Sequence, residues 1–127
     1  MRVGHFGVVL LGLVGLSGSA NADMLASELL FHTNQTLAVC TLYNLGPDAV
    51  TITQSRMLRD NGKNTSLSEN TCTGTLAANT SCEMLANIPN YGGHLCKIVT
   101  AESATNLRGH FELRQGNYGY LLHTNLH

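Results

Sequence analysis

Charge is scarce in this chain. Asp, Glu, Lys and Arg make up 12% of its 127 residues and leave a formal net charge of −1, where soluble proteins average about 25% charged residues. So even a balance excludes long-range capture of a phosphate backbone or an anionic lipid surface, which needs clustered Lys and Arg. No nucleic-acid partner is expected. Catalytic signatures are absent as well. There is no G-x-S-x-G elbow, no H-E-x-x-H pair and no phosphate-cradling glycine loop. His110-Phe111-Glu112 has the H-x-E letters of zinc deaminases without the P-C-x-x-C that completes them. Glu28, Glu83, Glu102 and Glu112 fall on separate segments, so the two convergent carboxylates of a glycosidase are not expected. An enzyme is not expected, and neither is a cofactor. Tryptophan and helical periodicity are also missing.

The N-terminus reads as an address. Arg2 precedes an apolar run from Val8 to Leu16, and small residues then lead to Ala20-Asn21-Ala22, an A-x-A cleavage pattern. The run is shorter than the roughly 20 apolar residues that a membrane-spanning helix needs. No cysteine follows the cleavage position, which argues against a lipid anchor there. Residues 1–22 are therefore expected to be a cleaved signal peptide. Residues 23–127 are expected to form one domain, periplasmic or secreted, with no transmembrane segment.

Export decides what the four cysteines can be. Cys40, Cys72, Cys82 and Cys96 are an even set in a small exported chain and read as a disulfide framework. Three pairings are open. The nested one, Cys72–Cys82 inside Cys40–Cys96, is favoured because the inner pair flanks a turn and the outer pair sits in the two most apolar segments. On the loop-entropy model the outer bridge contributes about 4 kcal/mol and the inner about 3 kcal/mol. Without a C-x-x-C spacing, metal or redox roles for these thiols are not favoured.

Short apolar or alternating runs recur every 8 to 12 residues with turn residues between them, the pattern of a sandwich or barrel. Strands are expected over 25–32, 37–44, 49–58, 66–76, 81–88, 94–101, 107–114 and 118–123. The 107–114 run alternates most clearly. Leu107, Gly109, Phe111 and Leu113 face a core, while Arg108, His110, Glu112 and Arg114 face solvent. Asn61-Gly62 reads as a type I′ hairpin turn, and Leu122 to His127 as a loose tail. Ala38, Leu42 and Ile98 should point inward beside Cys40 and Cys96.

The Cys40-Thr41-Leu42-Tyr43-Asn44 strand, the Asp60-Asn61-Gly62 turn, the stretch from Cys72-Thr73-Gly74 to Cys82, His94-Leu95-Cys96 and Arg108-Gly109-His110-Phe111 follow one layout. Over roughly residues 36–114 it resembles small exported bacterial proteins with a disulfide-stapled immunoglobulin- or fibronectin-like sandwich. The resemblance implies an all-β, immunoglobulin-like Greek-key sandwich of seven to eight strands with two disulfides. It implies no activity. His94 stands where immunoglobulin domains place a tyrosine two residues before the second cysteine, and is expected to be buried and hydrogen-bonded.

The leading functional expectation is a non-enzymatic exported binding or structural module that contacts another envelope or surface protein. Tyr91, Tyr118 and Tyr120 are its candidate binding residues, since tyrosine brings contact area at low entropic cost. The alternative is a periplasmic Zn- or Cu-binding protein using His110, His123 and His127; metal binding is otherwise not expected. A third possibility is a subunit that accepts a strand at an open sheet edge. Met24, Met57 and Met84 read as core fillers. Lys97, Arg108 and Arg114 are read as sharing one sheet face with His110.

Overall fold

A computed structural model describes residues 22–89, 91–115 and 121–127. The expected signal peptide falls on residues 1–22, which, Ala22 apart, lie outside the described residues. Ten strands form two antiparallel sheets: β1 (Asp23–Ala26), β2 (Leu30–His32), β3 (Leu37–Asn44), β4 (Val50–Arg59), β5 (Glu69–Asn70), β6 (Gly74–Leu76), β7 (Ser81–Asn87), β8 (Gly92–Thr100), β9 (Leu107–Arg114) and β10 (Leu122–Leu126). The first sheet runs β1-β8-β4-β6, with β2 pairing β8 beside β1; the second runs β10-β9-β3-β7-β5. The all-β sandwich is therefore the architecture.

Its centre follows from alternation. Ala38, Cys40 and Leu42 on β3, Met84 and Ala86 on β7, Cys96 and Ile98 on β8, and Phe111 and Leu113 on β9 are all fully buried. Each comes from a run whose every second residue is apolar, so one face of each strand can leave water. Cys40 bonds Cys96 through this core, joining the two sheets across a sequence separation of 56. Cys72, in the crossing between β5 and β6, bonds Cys82 on β7. Two disulfides are what an oxidising, non-cytoplasmic compartment permits. Among the described residues no helix is long and apolar enough to cross a membrane.

The edges depart from the immunoglobulin order. There the first strand pairs with the strand of the first cysteine, and the last with that of the second. Here β1 pairs the Cys96 strand, and β9, which follows that strand in the chain, pairs the Cys40 strand, so the two flanking positions are exchanged, with β10 added outside β9. The sheets also meet along this side. Ala26 and His127 exchange backbone hydrogen bonds of 3.0 Å in both directions.

Several expected elements are redrawn. The 25–32 run breaks into β1 and β2 at Ser27, whose hydroxyl accepts from the Cys96 amide while its own amide donates to the Cys96 carbonyl. The 66–76 run splits between sheets, β5 on β7 and β6 on β4. The expected 118–123 strand is partly outside the described residues, and β10 begins later. The tail is not loose: Leu126 is buried and fills the notch at Gly109, where a Cβ would sit 2.8 Å from it. Asp60-Asn61-Gly62 is not a type I′ turn. Gly62 is at φ 79° and Asn61 is not at positive φ; the Gly62 amide donates to the Arg59 carbonyl, as in a three-residue loop closed by a left-handed glycine. Lys97 lies on the first sheet, not on the face of Arg108, His110 and Arg114.

Candidate functional site

The three side chains of β2 do different jobs. His32 points inward, 4% exposed, and meets His94 of β8, 2% exposed. His32 Nε2 lies 3.0 Å from His94 Nδ1, so one nitrogen must donate and the other accept, and the pair shares a proton. His94 Nε2 is buried without a hydrogen-bond partner. Burial pushes His94 below the usual histidine value, the neighbouring His32 and Arg59 push the same way, and Asp60 opposes them. Burial also lowers His32, against a hydrogen bond with the Gln35 backbone. His94 is the buried, hydrogen-bonded residue expected, and its partner is 62 residues away in sequence.

Phe31, between Leu30 and His32, points the other way. Its register partner is Gly93, and a Cβ on Gly93 would sit 2.9 Å from the Phe31 ring. The glycine lets the ring lie against the bare backbone of the neighbouring strand, an arrangement that compensates for a glycine in a sheet. The ring is still 67% exposed, and Tyr91, just before β8, is 72% exposed. Tyr91, Arg59, Asp60 and Gly93 line a cleft of about 300 Å³. Tyr118 and Tyr120, the other expected binding residues, lie outside the described residues.

From this end the outer face of the first sheet continues along β8 through Leu95, Lys97 and Val99, all half-buried. Their register partners are Leu58, Arg56 and Gln54 on β4; on the other side Ala26 and Met24 of β1 face Lys97 and Val99. Met24 is 53% exposed, while Met57 and Met84 fill the core. The face thus carries apolar residues on both sides of two cations, Arg56 and Lys97, that stand directly opposite each other, with Gln54 beyond them at one end and Asp60 beside Gly93 at the other. Like charges directly opposite are destabilising. Among the described residues the ion pairs are His110–Glu112 and Arg114–Glu112, both on the other sheet. Among the described residues no carboxylate forms an ion pair with Arg56 or Lys97.

The outer face of the second sheet is built differently. Thr41, Tyr43, Glu83, His110, Glu112 and Arg114 line a shallow polar hollow of about 470 Å³. Glu112 accepts from His110 Nε2 at 2.8 Å with one oxygen and from Arg114 Nε at 2.7 Å with the other. Burial would raise the Glu112 carboxyl, but the hydrogen bonds and charges of Arg114 and His110 outweigh it and hold it below the usual carboxylate range. His110 and His123 come together on adjacent strands, ring centroids 5.4 Å apart. His127 does not join them. It lies beyond the end of β10, four residues past His123, or about 13 Å along an extended strand. Among the described residues no group of three or more His, Cys, Asp or Glu is placed to hold a metal ion.

No protein-family model, curated protein or solved structure matches this chain.

Sequence reasoning missed Phe31, Arg56 and the placement of Lys97. Alternation over Leu95, Lys97 and Val99 could have shown the outward face of β8. Nothing local could place Arg56 opposite Lys97, because a bulge between Ile52 and Gln54 shifts the register of β4.

Proposed function

We propose that this protein is a non-enzymatic exported binding module of the bacterial periplasm or cell surface. It contacts another envelope protein through the outer face of its first sheet, at the Phe31 and Tyr91 end. The observation that carries this reading is the pair of exposed aromatic side chains, 67% and 72% accessible, at one end of the first sheet: Phe31 is the register partner of Gly93, and Tyr91 precedes Gly93 by two residues. Aromatic side chains of this kind are the usual anchors of protein interfaces. The buried His32–His94 pair supports the reading, since it fixes the strand on which Phe31 stands.

A photoreactive amino acid placed at position 31 or 91, irradiated in intact cells, tests it. Leu45, 63% exposed at the opposite end of the sandwich, is the control position. The expected result is one cross-linked envelope protein of the same mass from positions 31 and 91 and none from position 45. Equal cross-linking from all three positions, or none from 31 and 91, would remove this surface from consideration.

A further inference from the structure

We infer that the partner docks an acidic protein segment on the outer face of the first sheet, its carboxylate seated between Arg56 and Lys97 and its apolar side chains on Leu58, Leu95 and Phe31. This deepens the binding reading above and rests on it.

The argument begins with an arrangement the fold itself leaves uncompensated. Arg56 and Lys97 are register partners on β4 and β8, so their side chains leave the same face side by side. No acid of the described chain forms an ion pair with either. An anionic group bridging the two would be held by both, and Arg supplies a planar fork that suits a carboxylate. The surroundings select the kind of anion. Leu58 and Leu95 lie one register step toward the Phe31 end, and Val99 and Met24 lie one step the other way. A lone solvated anion has no use for those apolar neighbours, whereas an extended peptide with apolar, acidic and apolar residues at every second position presents all three to this face. A membrane surface is the weaker match, because polybasic lipid-binding sites use about four to eight clustered cations and this face has two.

Three probes are added to ¹⁵N-labelled protein expressed from the whole coding sequence. They are a peptide with Leu, Glu and Leu at every second position and Ser between them, the same peptide with Gln for Glu, and vesicles containing about 30% anionic phospholipid. The Glu peptide should bind at least tenfold more tightly than the Gln peptide, with shifts at β8 and β4 amides. Arg56→Gln/Lys97→Gln should lose that advantage and still fold, since it removes a like-charge contact. Equal affinity of the two peptides, shifts confined to β9 and β10, or tighter binding to the vesicles than to the Glu peptide would each overturn the inference. Failure of the peptides alongside successful cross-linking from positions 31 and 91 would refute the acidic segment and leave the docking surface standing. Failure of the cross-linking as well would remove both.

Discussion

The two outer faces of this sandwich handle charge in opposite ways. On the second sheet Glu112 sits between His110 and Arg114 and accepts a hydrogen bond from each, so the Arg114 cation has its acid within the fold. On the first sheet Arg56 and Lys97 stand together with no acid between them, flanked by half-buried apolar residues and an exposed Phe31. Both faces rest on one core, closed by the Cys40–Cys96 bond. The contrast teaches that stability here comes from the shared interior, which frees one surface to carry a like-charge pair that the fold leaves uncompensated.

The largest expected effect leaves the contrast untouched. Cys40→Ala/Cys96→Ala should lower unfolding free energy by about 4 kcal/mol, read from urea unfolding, and should loosen both faces together because both sheets lose the same link. Loss of order in one sheet alone would show that the sheets are held by other means.

Acid should separate the faces. The His32–His94 pair is held below the ordinary histidine value, so the unfolded chain binds protons first as pH falls. Stability is therefore lost as pH drops below about 6.5, and the loss continues until the folded pair itself protonates. The carboxyl of Glu112 is lowered instead; its contribution is present above the usual carboxylate range and is lost only as pH falls through its folded value. Between pH 6.5 and 5, nuclear Overhauser contacts between β2 and β8 should weaken in wild type, while those between β9 and β10 persist. His94→Gln should flatten this response. An unchanged β2 at pH 5 would contradict the assignment.

Smaller effects act on the charges directly. Glu112→Gln should cost about 0.5–1 kcal/mol, the range for a partly exposed ion-pair network, because it removes the negative charge and one of the two acceptor oxygens that Arg114 and His110 share. Lys97→Glu should do the reverse and stabilise by about 0.5 kcal/mol, since it replaces a like-charge cross-strand pair with an opposite one. Thermal melts of both variants read the signs side by side. Two changes of the same sign would abolish the distinction between the faces.

How far the chain could be read before its structure depended on the distance over which each feature is set. The 107–114 alternation is local, and it shows both the buried Phe111 and the outward Glu112. The nested cysteines were legible because their segments are the most apolar and the inner two flank a turn. His32 and His94 were not, since 62 residues separate them and only the β2–β8 register makes them neighbours. The splitting of 66–76 was hidden because its residues serve two sheets in succession, with Cys72 at the crossing. The ordered C-terminus depended on Gly109, whose missing side chain makes room for Leu126. In each case the signal that failed was long-range, and the one that succeeded was periodic.

The most direct test of the central contrast is urea unfolding of Arg56→Gln/Lys97→Gln beside wild type, at low and at high salt. Urea is uncharged and does not itself screen, so the difference between the two proteins' salt dependences reports the Arg56–Lys97 pair. The account expects the variant to be the more stable protein at low salt, with the advantage shrinking at high salt as repulsion is screened. A variant less stable than wild type at both salt concentrations would mean that Arg56 and Lys97 are part of what holds the fold together, and the claim that this face awaits a partner would fall.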